Sequence, residues 1–125
     1  MPLEQGLRAA FDHQVTDGDT TIAVGSGDIP ALATPRVLAL CERATVDALS
    51  GNLEDGKTSV GMRVQLDHLA PTAVGATVRV EAVLEEVEGA RLSFKVTVND
   101  HRGLVAVGRV SRVVVNRARF LEKLR

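Results

Sequence analysis

One helix followed by four stretches of polar–apolar alternation leaves this chain few folds to choose from. The helix is predicted from about Pro35 to Ser50. Thr34 stands at its N-cap, Pro35 follows where a missing N–H costs nothing, and Gly51 supplies the stop. On a 3.6-residue wheel Leu38, Cys41, Thr45, Ala48 and Leu49 share one side. Arg36, Arg43 and Asp47 share the other, with Arg43 and Asp47 spaced for an ion pair. Beyond the helix, Val60, Met62, Val64, Leu66 and His68 alternate with Ser59, Gly61, Arg63, Gln65 and Asp67. Val78 to Leu84 and Leu92 to Val98 repeat the period of two, with a turn at Glu88-Gly89 between them. A last strand is predicted from about Leu104 to Val115, and its blurred phase between Val107 and Val113 predicts a bulge. Phe120 to Arg125 reads as a short tail.

Ahead of the helix the pattern is weaker. Phe11, His13 and Val15 alternate as in a short strand, and Asp17-Gly18-Asp19 reads as a turn. Gly25 to Pro30 is a flexible segment placed to flank or cover a ligand site. The order strand, helix, four antiparallel strands defines an α+β domain with a sheet of about five strands and one long helix. At 125 residues the chain supports one hydrophobic core, hence a single domain over 1–125. One helix covers only part of such a sheet and leaves its edges open, so a homodimer is expected, or a tetramer of two such dimers.

Charge and composition remove whole classes of partner. A formal net charge of -1, no basic run and only three Phe among the aromatics give nucleic acid nothing to bind. No window approaches the roughly 18 to 20 apolar residues that span a bilayer, and Met1 to Gly6 lacks a basic n-region, so neither a membrane partner nor a secretory signal is expected. Cys41 is the lone cysteine, which excludes an internal disulfide and fits a cytoplasmic location. No His/Cys/Asp spacing suggests a metal, and no cofactor is implied.

Gly51-Asn52-Leu53-Glu54-Asp55-Gly56-Lys57-Thr58 fits the P-loop pattern letter for letter. A P-loop follows a strand and opens a helix, whereas this segment follows a helix and opens a strand, and Glu54 and Asp55 put negative charge in the phosphate cradle. Gly25-Ser26-Gly27 likewise fails as a dinucleotide loop, because Pro30 occupies the place of the third glycine.

Three other residues carry the chemical content. Thr34 opens the helix, Glu42 lies about two turns further along it, and His68 ends the strand that should pack against the same helix. A hydroxyl, a carboxylate and an imidazole in one crevice can cleave an ester or thioester. Each also has a plain reading: Thr34 as a helix cap, Glu42 as a solvated flank residue, His68 as a core histidine. Cys41 points into the apolar stripe, and His13 and His101 fall in unrelated segments.

With those residues in view the chain resembles the hotdog-fold thioesterases, in the fluoroacetyl-CoA thioesterase branch, from about Thr16 to Phe120. The resemblance is carried by Leu32-Ala33-Thr34-Pro35 leading to Leu40-Cys41-Glu42, by Ser59-Val60-Gly61 leading to His68, and by Val87 to Ser93. It implies an antiparallel sheet wrapped around one long helix and an acyl-CoA thioester substrate. It implies Thr34 as nucleophile or orienting hydroxyl, Glu42 as the carboxylate that attacks or activates water, and His68 as general acid/base. Gly61 would bind substrate through its N–H, and the active sites would lie at a dimer interface. The fluoroacetate-specific enzyme carries an aromatic lid before the helix, and Ser26 to Ala33 has no Phe, Tyr or Trp. A small or medium acyl group is therefore expected. A non-catalytic acyl-CoA binder and a hotdog-fold hydratase or dehydratase are the competing functions; Glu42 on the helix is the thioesterase-like feature. Arg63, Arg91 and Arg109 are candidates, by charge alone, for coenzyme-A contacts.

Overall fold

The computed structural model describes residues 3–125. Strand β1 (Arg8–Gln14) comes first, then a single 3-10 turn (Asp17–Asp19), a one-turn helix α1 (Thr21–Val24) and the long helix α2 (Thr34–Leu49). Strands β2 (Lys57–His68), β3 (Thr77–Glu88), β4 (Arg91–Asp100) and β5 (Gly103–Asn116) follow, and α3 (Arg117–Glu122) closes the chain. The five strands form one antiparallel sheet in the order β1-β3-β4-β5-β2. This is the expected strand, helix, four-strand arrangement, with β1 and β2 as the two edges.

Alternation explains the core. Val78, Val80, Ala82 and Leu84 of β3 and Leu92, Phe94, Val96 and Val98 of β4 are fully buried on the face toward α2. The helix buries Val37, Leu40, Cys41, Ala44, Thr45, Ala48 and Leu49 against them, a stripe rotated from the expected one so that Leu38 is only half-buried. Because α2 lies mainly over β3 and β1, it leaves the inner face of β2 half covered, at Val64 and Leu66. A groove between α2 and β2 results.

The ends of elements depart from expectation in three places. Ala33, not Thr34, occupies the N-cap of α2, and it has no side chain to accept a bond. Residues 21–24, to which the sequence assigned no element, are helical, and so are 117–122, which reach into the expected tail of Phe120 to Arg125; Asn116 caps α3 by accepting the Arg119 N–H. The bulge expected within β5 between Val107 and Val113 sits opposite it, in β2, where Gly61 pairs with Arg112 and Arg63 with Ser111, leaving Met62 extra. Further bulges leave Glu85 and Val105 unpaired.

The Met62 bulge decides what β2 presents to the groove. Gly61 and His68 are seven residues apart and would face opposite ways along a regular strand. One extra residue reverses the parity, so Ser59 and Gly61 before it share the inner face with Val64, Leu66 and His68 after it. Val60 and Met62, expected on the apolar face, turn outward instead, and Met62 is exposed.

Candidate active site

Two polar clusters lie along the groove. At its first end, Thr34 Oγ1 and His68 Nδ1 form a 2.8 Å hydrogen bond, donor and acceptor depending on the imidazole tautomer. Thr34 is the first residue of α2, so its hydroxyl, free of capping duty, turns to His68. A cleft of about 250 Å³ opens beside them, walled by Leu32, Leu69, Ala70 and Pro71. His68 Nε2 is buried with no hydrogen-bond partner. Burial holds the His68 pKa below its ordinary value, and the Ala70 backbone offsets part of that shift. A neutral imidazole beside an alcohol is the pairing that accepts a proton from an attacking hydroxyl.

Two turns along α2, Glu42 meets a guanidinium. Arg112 Nη1 lies 3.5 Å from Glu42 Oε2, while Arg112 Nε donates to Ser59 Oγ at 2.9 Å and Nη2 to the Ser59 carbonyl at 3.1 Å. Arg112 is 7% exposed, and with three partners its guanidinium is fixed in place. Gly61 stands directly across from Arg112 on β2, and a Cβ there would run into Glu42 Oε2. Bare backbone at that point leaves room for the Glu42 carboxylate, whose direction is set by Arg112.

Thr34 and Glu42 are eight residues apart, about 12 Å of helical rise. Among the described residues no hydrogen bond joins Glu42 to Thr34 or His68. Within the groove the contacts fall into two groups, Thr34 with His68, and Glu42 with Arg112 and Gly61. The cause is geometric: β2 runs against the direction of α2, so the later residue on the strand meets the earlier residue on the helix.

Arg112 is the functional candidate that sequence reasoning missed. Its signal was phase, since it shares a face with buried Val110 in β5. Arg63, Arg91 and Arg109, the candidates by charge, lie on the sheet face away from α2, and Arg109 is bound to Glu85. The P-loop-like segment ends in β2, with no helix N-terminus behind it. A larger cavity of about 440 Å³ lies beside it, lined by Asn52, Leu53, Lys57 and Val114, and holds none of Thr34, Glu42, His68 or Gly61.

Comparison with known proteins identifies the family and the fold. Residues 15–118 match the family of fluoroacetyl-CoA-specific thioesterases. The fluoroacetyl-CoA thioesterase of Streptantibioticus cattleyicolor is 38% identical over 93 residues, 74% of this chain and 67% of that protein. A structure of the fluoroacetyl-CoA thioesterase FlK superposes with a TM-score of 0.92 at 31% identity, covering 99% of this chain and 96% of that one. A thioesterase superfamily member from Thermus thermophilus superposes with a TM-score of 0.89 at 31% identity, over 98% of this chain and 90% of that one. A variant of FlK has been solved in complex with acetyl-CoA. The fold is the hotdog fold of these thioesterases, and the chain belongs to the fluoroacetyl-CoA-specific thioesterase family.

Proposed function

We propose that this protein, a thioester hydrolase by family, cleaves a small or medium acyl-CoA with Thr34, His68 and Glu42 as its reacting groups. The observation that carries this reading is the Thr34–His68 hydrogen bond at the mouth of a cleft. Thr34 Oγ1 attacks the thioester carbonyl while His68 Nδ1 takes the hydroxyl proton and returns it to the departing sulfur. The acyl group is left as a threonyl ester. Glu42 of the second copy in a homodimer, aimed by Arg112, accepts a proton from the water that hydrolyses that ester and passes it to the departing Thr34 oxygen, releasing the carboxylic acid and freeing Thr34. The Gly61 N–H of that same second copy binds the carbonyl oxygen.

The separation of the two clusters within one chain supports a homodimer, in which the second copy closes the groove over β2. The absence of Phe, Tyr and Trp from residues 26–33 supports an acyl group other than fluoroacetyl as the preferred one. No helix among the described residues is long and apolar enough to cross a membrane; lone, buried Cys41 supports a cytoplasmic site of action.

Thiol release from acyl-CoAs running from acetyl to long-chain and aryl tests the reading, with Thr34→Ala, His68→Ala and Glu42→Gln alongside. Turnover on a short or medium acyl chain is expected, lost in all three variants. Glu42→Gln should accumulate an acyl adduct on Thr34, detectable by mass spectrometry of the digest. Unchanged turnover in Glu42→Gln removes it from the mechanism, and binding without release by the wild type makes the protein an acyl-CoA binder.

A further inference from the structure

His13, Asp19 and Arg36 form a polar cluster that the proposed hydrolysis does not use. The Asp19 side chain is 6% exposed. Its Oδ2 accepts the Thr16 N–H at 2.9 Å and the Thr16 hydroxyl at 3.2 Å, and lies 2.8 Å from His13 Nε2. Its Oδ1 accepts the Arg36 Nε–H at 2.8 Å. Burial alone would raise the Asp19 pKa; the bonds from Thr16, His13 and Arg36 outweigh it and hold the carboxyl far below the usual carboxylate range. The group is therefore a fixed anion.

The same residue also grips the helix entrance through its backbone. The Asp19 carbonyl accepts the Ala33 N–H at 2.8 Å. Ala33 and Arg36 bracket Thr34-Pro35, so Asp19 holds the chain on both sides of the hydroxyl. The neighbouring backbone extends the grip toward His68. Thr20 bridges Leu32, Ala31 bridges Ala73, and the Leu32 N–H donates to the Thr72 carbonyl, four residues past His68. Ala33 offers no side-chain cap of its own.

We propose that Asp19 is a positioning residue: by holding Ala33 through its carbonyl and Arg36 through its carboxylate, it sets the first turn of α2 so that the Thr34 hydroxyl stays on His68 Nδ1. This inference rests on the assignment of Thr34 and His68 as reacting groups. Asp19 touches neither side chain; it acts through the backbone between them.

The test combines kinetics with the ¹⁵N resonances of the His68 ring in Asp19→Asn. The expected result is a fall in kcat between about tenfold and a hundredfold, with KM within about twofold. The Nδ1 resonance should move toward its position in Thr34→Ala. The double variant Asp19→Asn/Thr34→Ala should be no slower than Thr34→Ala alone, because a clamp with nothing to position has no further effect. An unmoved Nδ1 resonance in the folded variant overturns the proposal, as does a double variant slower by the full Asp19→Asn factor. Should Asp19→Asn fail to fold, Arg36→Leu makes the same comparison with the Thr16 and His13 bonds intact. If the wild type releases thiol from no acyl-CoA, the hydrolytic reading fails by itself, and the His68 resonance still decides whether Asp19 sets the Thr34 contact.

Discussion

At Gly61 the room for one methyl group is already taken by the Glu42 carboxylate. The obstacle is the end of a side chain, so Gly61→Ala should fold with a loss of no more than about 1 kcal/mol in a denaturant melt. Activity should fall at least about tenfold, because the carboxylate must leave its place beside Arg112 and Gly61. Arg112 itself cannot be lost so lightly. Arg112→Leu leaves Ser59 and Glu42 without their donor and should cost about 1–3 kcal/mol in the same melt. Arg112→Lys should recover little, since one ammonium cannot reproduce a fork that spans Glu42 and both oxygens of Ser59. His68 adds a pH dependence whose sign is fixed by its lowered pKa. The folded state favours the neutral ring, so its contribution to stability is complete above the unfolded value of about 6.5 and is lost as pH falls through the lower folded value. Melting temperature should decline below about pH 6.5, kcat/KM only at the lower pH where the folded ring takes up its proton, and His68→Gln should flatten the stability slope.

Among the elements, β2 carries the decisive irregularity. Deleting Met62, an exposed residue with no partner on β5, should restore an unbroken alternation and turn one half of β2 over. Either Ser59 and Gly61 leave the groove, or Val64 and His68 do. Activity should be lost although no candidate reacting residue has been replaced, and circular dichroism should still report the sheet. The helix was legible because its start and stop are chemical: proline after a hydroxyl, glycine after an apolar stripe. Its cap was misplaced by one residue, because Thr34-Pro35 satisfies the capping pattern as well as Ala33-Thr34 satisfies the geometry. Strands β3 and β4 were legible for the same reason that they are buried, since every second side chain faces α2. The bulge was felt in sequence as a blurred phase in β5, but alternation in one strand cannot reveal which partner carries the extra residue.

For the molecule as a whole, the open edge at β2 is the feature with consequences. Val64 and Leu66 are half covered by α2, and the groove they floor holds both polar clusters. Light scattering should report a homodimer, and Leu66→Arg should shift it toward monomer and abolish hydrolysis together. The sequence by itself determined the class of the fold, the single core and the residue types of the chemistry, because periodicity, caps and turns act over neighbours a few positions apart. It also placed Thr34, Glu42, His68 and Gly61 on elements that border one groove. Tertiary structure alone decided which of them touch. The direction of β2 against α2 pairs His68 with Thr34, the Met62 bulge brings Gly61 to the inner face, and β5 delivers Arg112 to Glu42. Those contacts join residues distant along the chain, and their register is set by how a whole strand packs, a property no local pattern carries.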